Sequence, residues 1–482
     1  MELLHVHKLT AAMKFKFTPL IVLCALAVAL ATNARAAGKP NVVFLFADDM
    51  RADSVAALGN PTVKTPTLDA LVQRGFVMRN AYCLGGNIGA VCTPSRNMLL
   101  SGNAYFRWKG FTPPSGQKGI LSPGDGPNWP LSMKDAGYET YHQGKKGNTA
   151  LLIQAKFDHN LYINENQDRT SGEPGKMIAD DVVKFLNEKQ DDKPFFMYLA
   201  FGNPHDPRVA AKQYMDLYDE AKIPLPKNYL PVHPFDNGEM TVRDEALLPW
   251  PRTEAAVRQQ LHEYYATITA MDHHMGRIVQ ALKDKKVYDN TIIIFSADQG
   301  IAVGSHGLLG KQNLYDAGML CPLVFAGPGI KKGGSDALVY LLDIYPTICD
   351  LVGASAPANI DGRSFKAVME GKSTKARSEL LLSYRDVQRA YRDERWKIIR
   401  YPQVDVTQLF DLKNDPEEMK DLAGDPAQKA RVAELTEKLK SLQPKFGDTL
   451  ALTVENPKPA QWTAPVKDAS SAPQPKKKKK NQ

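Results

Sequence analysis

Hydrophobic residues along this chain are grouped in short uninterrupted runs, the pattern of strands that are buried on both faces of a sheet. Three such runs, 40–47, 194–201 and 291–297, each end abruptly in polar residues. Segments with the spacing of amphipathic helices lie between them, and the longest covers about 254–282. Buried strands that alternate with helices predict an α/β fold, with a doubly wound and mostly parallel sheet flanked by helices.

Weaker signals between these runs complete the pattern. Further strands are predicted at 138–142 and 322–326, and further helices at 65–71, 175–186 and 343–352. The segment 207–252 is rich in proline and has no regular apolar period, which predicts a long surface loop. Long loops next to a rigid sheet often carry binding residues.

From about residue 379 apolar and polar residues alternate singly, as in antiparallel strands with one exposed face. The strands predicted here are 380–384, 389–396, 396–401 and 408–412, and 426–442 is predicted to be a covering helix. We therefore expect a smaller C-terminal α+β subdomain with an antiparallel sheet. The predicted divisions are a signal peptide at 1–36, a main α/β domain at 37–378, this subdomain at 379–455 and a disordered Pro/Lys-rich tail at 456–482.

Residues 1–36 have the three parts of a secretory signal peptide. Lys14 and Lys16 supply positive charge, the apolar stretch 19–31 follows, and Ala34-Arg35-Ala36 is a small-residue cleavage site. The apolar stretch is shorter than the roughly 20 residues that a membrane-spanning helix needs. The sequence therefore predicts export to the periplasm or the medium without stable membrane insertion, and a membrane anchor is the alternative.

The positive charge of the chain lies at its two ends. Residues 1–36 carry +3 and residues 456–482 carry +6 of the net charge of +8, so the body from 37 to 455 has a net charge of −1. A nearly neutral body argues against a nucleic-acid-binding protein, whose basic residues cover a binding face. A polyanion-binding protein that uses the lysine run 476–480 is an alternative that would need no catalytic residues.

Polar side chains stand where the first and third buried strands end. Asp48 and Asp49 follow the first strand, and Asp298 and Gln299 follow the third. Because the carboxyl ends of parallel strands share one edge, we expect these side chains to meet there. Clustered carboxylates repel each other unless a cation offsets their charge, and an all-oxygen set suits Ca²⁺ or Mg²⁺ better than Zn²⁺. A solvated turn is the alternative for Asp48 and Asp49 taken alone.

The segment Cys92-Thr93-Pro94-Ser95-Arg96 has the features of an anion site. Pro94 suits the first turn of a helix, where its missing N–H costs little. Cys92 is therefore predicted at a helix N-terminus, among unpaired N–H groups and beside the guanidinium of Arg96. The remaining cysteines of the exported chain, Cys83, Cys321 and Cys349, lack the spacing of a zinc site, and spacing does not indicate whether any pair is bridged.

The motif Cys-x-Pro-Ser-Arg at 92–96 resembles the signature of the type I sulfatases of the alkaline-phosphatase-like superfamily, whose cysteine is oxidised after translation to formylglycine. Ordered motifs are far more specific than any single one. Segments that resemble the family's other motifs are 41–49, 65–71, 137–145, 201–207, 296–300, 306–311, 342–347, 361–364 and 409–416. The resemblance implies the fold predicted above and the hydrolysis of sulfate esters.

The resemblance also implies roles for the matching residues. One Ca²⁺ per subunit would be held by Asp48, Asp49, Asp298, Gln299 and residue 92 as formylglycine. Charge on the sulfate oxygens would be offset by Arg96, Lys145 and Lys311. His205 would protonate the leaving alcohol, since its side chain titrates near neutrality. The implied partners are a formylglycine-generating maturation enzyme and a sulfated polysaccharide or oligosaccharide, the latter expected from export and from what the family commonly hydrolyses.

One position departs from the family's pattern. The lysine motif commonly continues Lys-Trp-His, whereas here Lys145 is followed by Lys-Gly-Asn, so Gly147 stands where the histidine is expected. The residues that could substitute are Lys146, Asn148 and a histidine from elsewhere, such as His142 or His306. The nearest alternative reaction is hydrolysis of phosphate or phosphonate esters within the same superfamily, which extra cations or a second metal would favour.

Overall fold

A computed structural model of the chain describes residues 38–108 and 122–465. Its strands form a larger and a smaller sheet. In chain order the strands are β1 (Asn41–Ala47), β2 (Phe76–Tyr82), β3 (Gly85–Gly86), β4 (Glu139–Gly144), β5 (His159–Tyr162), β6 (Phe195–Ala200), β7 (Thr291–Ala297), β8 (Leu320–Cys321), β9 (Leu323–Ala326), β10 (Gly333–Tyr340), β11 (Leu380–Tyr384), β12 (Gln388–Arg392), β13 (Trp396–Tyr401) and β14 (Val406–Asp411).

The three predicted buried strands lie side by side at the centre of the larger sheet. β1 pairs in parallel with β6 on one side and with β7 on the other, and β4 and β5 continue the parallel arrangement beyond β6. The order across the sheet is β10-β2-β9-β7-β1-β6-β4-β5, with β8 paired to β2. Every residue of β1, β6 and β7 is buried, which explains their uninterrupted apolar sequences.

The edge of this sheet beyond β7 is less regular than the sequence pattern suggests. β9, predicted at 322–326, lies antiparallel to both of its neighbours, β7 and β2. The apolar pattern does not predict β2 or β10, because Arg79 and Asn80 interrupt the first and the exposed Gly333 and Gly334 begin the second. The sheet is nevertheless mostly parallel, as expected.

Helices cover both faces of the larger sheet. Alternate residues of β1 enter two separate apolar cores, so that Phe44 packs on the side of α2 and α10 and Leu45 on the side of α1, α6 and α8. The fold is therefore doubly wound. The α-helices of the described chain are α1 (Pro66–Arg74), α2 (Cys92–Ser101), α3 (Trp129–Asp135), α4 (Leu151–Gln154), α5 (Glu165–Thr170), α6 (Lys176–Glu188), α7 (Lys212–Met215), α8 (Glu254–Asp284), α9 (Asp316–Met319), α10 (Ile344–Val352), α11 (Lys366–Met369) and α12 (Lys429–Phe446).

The smaller sheet has the order β14-β13-β12-β11-β3. β11 to β14 form antiparallel pairs, as the alternating pattern predicts, and α12 buries Leu435, Leu439 and Leu442 against them. β3 adds a parallel edge to β11. Because β3 precedes Cys92 by a few residues, the smaller sheet is hydrogen-bonded to the segment that leads into α2.

Several expectations concern parts of the chain outside these elements. The signal peptide at 1–36 and the lysine run 476–480 lie outside the described residues. Within the described residues, none of the helices is both long and apolar enough to cross a bilayer.

Cys83, Cys92, Cys321 and Cys349 are free thiols. The described residues from Pro40 onward form one compact unit, and the division at 378/379 stays a prediction.

A buried ion pair joins the smaller sheet to the segment after α12. Arg389 on β12 donates from Nε to Asp448 Oδ2 at 2.7 Å and from Nη2 to Asp448 Oδ1 at 3.0 Å, and neither side chain is exposed. Asp448→Ala leaves this guanidinium buried without its partner, so we expect the free energy of unfolding to fall by about 3–5 kcal/mol. Urea unfolding followed by circular dichroism measures the change. Glu437→Ala, which breaks an exposed pair on α12, is the control, and equal midpoints for the two variants would contradict the prediction.

Candidate active site

The four parallel strands at the centre of the larger sheet, β7, β1, β6 and β4, all end at one edge in polar residues. Asp298 and Gln299 follow β7, and Asp48 and Asp49 follow β1. Lys145 follows β4, and the loop after β6 carries His205. The parallel register therefore brings together the residues that sequence placed at separate strand ends.

Cys92 is the first residue of α2, and its side chain points into this cluster. Its Sγ lies 3.1 Å from Asp48 Oδ1 and 3.0 Å from Gln299 Nε2. Pro94 stands in the first turn of the helix, as predicted. Burial, followed by the charges of Asp298 and Asp48, raises the pKa of the Cys92 thiol well above its ordinary value. An unmodified thiol in this position would be protonated at neutral pH.

Buried side-chain oxygens that could bind a metal ion surround Cys92. One potential ligand atom from each of Asp48, Asp49, Asp298 and Cys92 lies within 4.8 Å of the others. Gln299 Oε1 is buried and has no hydrogen-bond partner in the described structure. Burial, followed by the charge of Asp48, raises the pKa of Asp298 to about 6. Most of these potential ligand atoms are oxygens, which Ca²⁺ prefers. A bound cation would also favour the ionised form of Asp298, which burial disfavours. The cluster therefore fits a hard cation such as Ca²⁺.

Asp49 adopts a left-handed backbone conformation at the end of β1, with φ of 61°. Aspartate adopts this region more readily than most residues, although the backbone conformation still costs free energy. Asp49 N donates to Asp298 Oδ1 at 3.1 Å, and Tyr264 OH donates to Asp49 O at 3.0 Å. These contacts hold the turn and direct both Asp48 and Asp49 into the cluster.

Three buried cations pair with these carboxylates. Arg96 donates from Nε to Asp298 Oδ2 at 2.9 Å, Lys145 Nζ pairs with Asp48 Oδ2, and Lys311 Nζ lies 2.7 Å from Asp49 Oδ2. Burial alone would raise the pKa of Asp48, but Lys145 and Arg96 hold it well below its ordinary value. Asp48 is therefore held as an anion whose charge is offset by these cations.

His205 lies at the mouth of the cluster, with 12% of its side chain exposed. Its Nδ1 donates to Asp206 O at 2.7 Å, so Nε2, which is 3.7 Å from Asp49 Oδ2, is the ring nitrogen that faces the site. Burial, followed by the charge of Lys311, lowers the pKa of His205. The ring can exchange a proton with a group bound beside the carboxylates.

The structure adds residues that sequence reasoning missed. Arg169 on α5 lies 3.3 Å from Asp48 Oδ2, and Asp244 lies 3.9 Å from Lys311 Nζ. Neither belongs to a recognised motif. The two histidines considered as substitutes at Gly147 pair elsewhere, His142 with Asn160 Oδ1 and His306 with Glu418 O.

The sequence profile of the family described as Sulfatase matches residues 40–354, more than half of the chain. The chain belongs to the sulfatase family. It is therefore a hydrolase of sulfate esters. A second profile, described as the C-terminal part of N-sulphoglucosamine sulphohydrolase, matches residues 304–445.

Named relatives of this sulfatase include two proteins of Bacteroides thetaiotaomicron. It is 25% identical to an N-acetylglucosamine-6-O-sulfatase over 89% of this chain and 91% of that protein. It is 28% identical to a Delta 4,5-hexuronate-2-O-sulfatase over 83% of this chain and 88% of that protein. The crystal structure of a phosphonate monoester hydrolase of Agrobacterium radiobacter superposes with a TM-score of 0.69 at 21% identity, over 84% of this sulfatase and 96% of that chain, which shows a shared fold.

Proposed function

We propose that Cys92 is converted to formylglycine and serves as the nucleophile of this sulfatase. The observation that carries the proposal is the position of Cys92 on the first residue of α2, with Sγ 3.1 Å from Asp48 Oδ1. Because burial raises the pKa of the thiol, an unmodified cysteine would be a weak nucleophile here. The hydrate of an aldehyde at the same position supplies hydroxyl groups whose reactivity does not depend on a thiolate.

The described side chains suggest how the displacement proceeds. One hydroxyl of residue 92 gives its proton to a carboxylate of the cluster as its oxygen forms a bond to sulfur. The bond from sulfur to the alcohol oxygen breaks, and His205, as the imidazolium, gives that oxygen a proton from Nε2. The second hydroxyl then gives its proton to another carboxylate of the cluster and the C–O bond to sulfate breaks, which releases sulfate and restores the aldehyde for hydration by water. Arg96, Lys145 and Lys311 would offset the charge on the sulfate oxygens in a site that excludes water.

We propose that the carboxylate cluster holds one Ca²⁺ per subunit. The ligands would be Asp48, Asp49, Asp298 and Gln299 together with residue 92. The three carboxylates and residue 92 already converge, and the Gln299 amide lies against Asp49 and Cys92 through Nε2 while its Oε1 has no hydrogen-bond partner among the described residues. When bound, the ion would lower the pKa of the nucleophilic hydroxyl and neutralise the carboxylates.

We also propose that the enzyme is exported and that its substrate is a sulfated polysaccharide or oligosaccharide. The two relatives named above act, by their names, on sulfated sugars, and the predicted signal peptide would take the enzyme to where polymeric glycans are found. The proposed partners are the glycan and a formylglycine-generating maturation enzyme, with no role for nucleic acid.

Turnover on a panel of sulfated glycans tests this proposal. The enzyme is produced with a formylglycine-generating system, and released sulfate is measured by ion chromatography. We expect at least one sulfated sugar to be hydrolysed faster than any phosphate or phosphonate ester of similar size. Hydrolysis of a phosphate diester or a phosphonate monoester without release of sulfate from any glycan would overturn the proposal.

The proposed role of His205 predicts a dependence on the leaving group. His205→Ala should lower turnover of a sugar sulfate by about 10²–10⁴-fold, because a sugar alcohol leaves poorly without a proton. The same variant should lose much less activity on 4-nitrophenyl sulfate, since nitrophenolate leaves as an anion. His262→Ala, which removes a histidine of similar exposure that donates to Met215 O, is the control. Equal losses on the two esters would show that His205 is not the proton donor.

A further inference from the structure

We propose that Arg169 is a further residue of the sulfate-binding site and that its guanidinium contacts the sulfate group of substrate and product. The inference rests on the proposed function, because it concerns the anion held beside residue 92. Arg169 lies on the short helix α5, in a polar segment with no recognised motif. Its side chain is nevertheless only 10% exposed and reaches the carboxylate cluster.

The guanidinium of Arg169 is fixed by two neighbouring segments. Its Nε donates to Gly202 O at 2.8 Å, and its Nη2 lies 3.3 Å from Asp48 Oδ2. A Cβ at position 202 would lie 3.4 Å from this Nε, which is van der Waals distance, so the guanidinium packs directly against the loop. The other oxygen of the same carboxylate, Asp48 Oδ1, is 3.1 Å from Cys92 Sγ. Arg169 is therefore separated from the reacting residue by one carboxylate group.

Glu165 connects Arg169 to the loop that carries Lys145. Its Oε1 accepts hydrogen bonds from Lys146 N at 2.8 Å and from Gly147 N at 2.5 Å. Its Oε2 lies 3.5 Å from Arg169 Nη2. A Cβ at position 147 would lie 3.2 Å from Glu165 Oε1, so the absence of a side chain at Gly147 permits this approach. Gly147, which stands where the family commonly has a histidine, thus leaves room for Glu165, and Glu165 in turn helps to position Arg169 beside the carboxylates.

Arg169 has more N–H groups than its hydrogen bonds to the protein use. A guanidinium has five N–H groups, and the contacts above use Nε and Nη2, while no hydrogen bond among the described residues uses Nη1. Lys145 already pairs with Asp48 Oδ2, so that oxygen does not depend on Arg169 alone for a partner. A rigid planar donor with spare N–H groups next to the nucleophile suits a tetrahedral oxyanion such as sulfate.

Arg208 offers a matched control for Arg169. Counted over the whole residue, both are 8% exposed. Both donate from Nε to a carbonyl of the loop after β6, Arg208 to Pro204 O at 3.0 Å. Arg208 then pairs with Gln260 Oε1 at 3.3 Å and lies over the ring of Tyr264. Its contacts therefore lie outside the carboxylate cluster. Substitution of Arg208 removes a guanidinium that is bonded to the same loop, but it removes no proposed contact with sulfate.

Titration calorimetry with inorganic sulfate tests the inference without requiring turnover. Calcium-loaded wild type, Arg169→Gln and Arg208→Gln are compared, with the metal content of each measured. We expect Arg169→Gln to weaken sulfate binding at least about tenfold and to lower kcat/KM on 4-nitrophenyl sulfate by about 10²–10³-fold. Arg208→Gln should stay within about threefold of wild type in both. Added guanidinium ion should restore part of the activity of Arg169→Ala and none to Arg208→Ala.

Two results would overturn the role of Arg169. The first is sulfate affinity in calcium-saturated Arg169→Gln equal to that of wild type, or no sulfate binding by wild type at all. The second is a loss of calcium in Arg169→Gln with normal sulfate affinity once calcium is restored, which would make Arg169 only a brace for Asp48. Failure of the proposed function is distinguishable, since it would appear as an unmodified Cys92 and no ester turnover while the sulfate titration still reports on Arg169.

Discussion

Cys92→Ala is expected to lower sulfate release by about four orders of magnitude or more, because no other described side chain can take the place of the nucleophile. The neighbouring groups at this position are carboxylates, an amide and cations. In the proposed mechanism they bind and polarise, and none of them offers the two hydroxyl groups that attack on sulfur and release of sulfate require. Cys92→Ser should lose activity as severely if its hydroxyl escapes oxidation to the aldehyde, since a single hydroxyl can attack sulfur but cannot expel it afterwards.

The measurement combines sulfate release with mass spectrometry of the peptide that carries residue 92. In the active wild type this peptide should be lighter than the cysteine form by the exchange of one sulfur and two hydrogens for one oxygen. Cys349→Ala is the matched control, because Cys349 is a fully buried free thiol on α10, outside the carboxylate cluster. It should keep its activity while losing some stability. An active wild type with an unmodified thiol would contradict the assignment.

The second large effect is expected for Asp298→Asn, which keeps the shape of the side chain and removes its charge. Asp298 accepts hydrogen bonds from Asp49 N and Gln299 N through Oδ1 and from Arg96 through Oδ2. An amide would turn an N–H toward Arg96 or toward the two backbone donors, and it would bind a cation more weakly. We expect calcium affinity to fall by at least about a hundredfold and kcat/KM by about a thousandfold.

Calcium content by atomic absorption and thermal unfolding with and without a chelator measure this change. A chelator should lower the unfolding temperature of wild type and have little effect on Asp298→Asn, because binding to the folded state alone stabilises it. Asp272→Asn is the control, since Asp272 is a buried carboxyl that accepts from Thr67 N and Leu68 N at the start of α1. That variant should keep its calcium. Normal calcium binding by Asp298→Asn would remove Asp298 from the ligand set.

The parts of the site that lie at strand ends could be predicted from sequence for a physical reason. β1 and β7 are buried on both faces, so their apolar runs are conspicuous and their ends are easy to locate. Once both strands are placed in one parallel sheet, Asp48, Asp49, Asp298 and Gln299 must share an edge. The helix that begins at Cys92 was predictable from Pro94 in the same local way.

Arg169 could not be predicted, because nothing local marks it. It lies in the polar segment of α5, where an arginine is usually a solvated surface residue. Its contacts with Gly202 and Asp48 depend on how α5 packs against the ends of β6 and β1. β2 was missed for a related reason, since Arg79 and Asn80 interrupt its apolar sequence while the rest of the strand is buried. Tertiary packing, which a single sequence does not display, determines both.

The burial of Cys92 and the pairing of β3 with β11 limit when an enzyme can reach this residue during synthesis. Residue 92 is 1% exposed in the folded chain, and the segment before it is hydrogen-bonded to Ser383 and Tyr384. Those two residues emerge from the ribosome only after nearly 300 further amino acids have been added, which takes about 15–60 s at typical elongation rates. A maturation enzyme would therefore act on a growing or newly exported chain, and a protein refolded without that step would have its thiol enclosed.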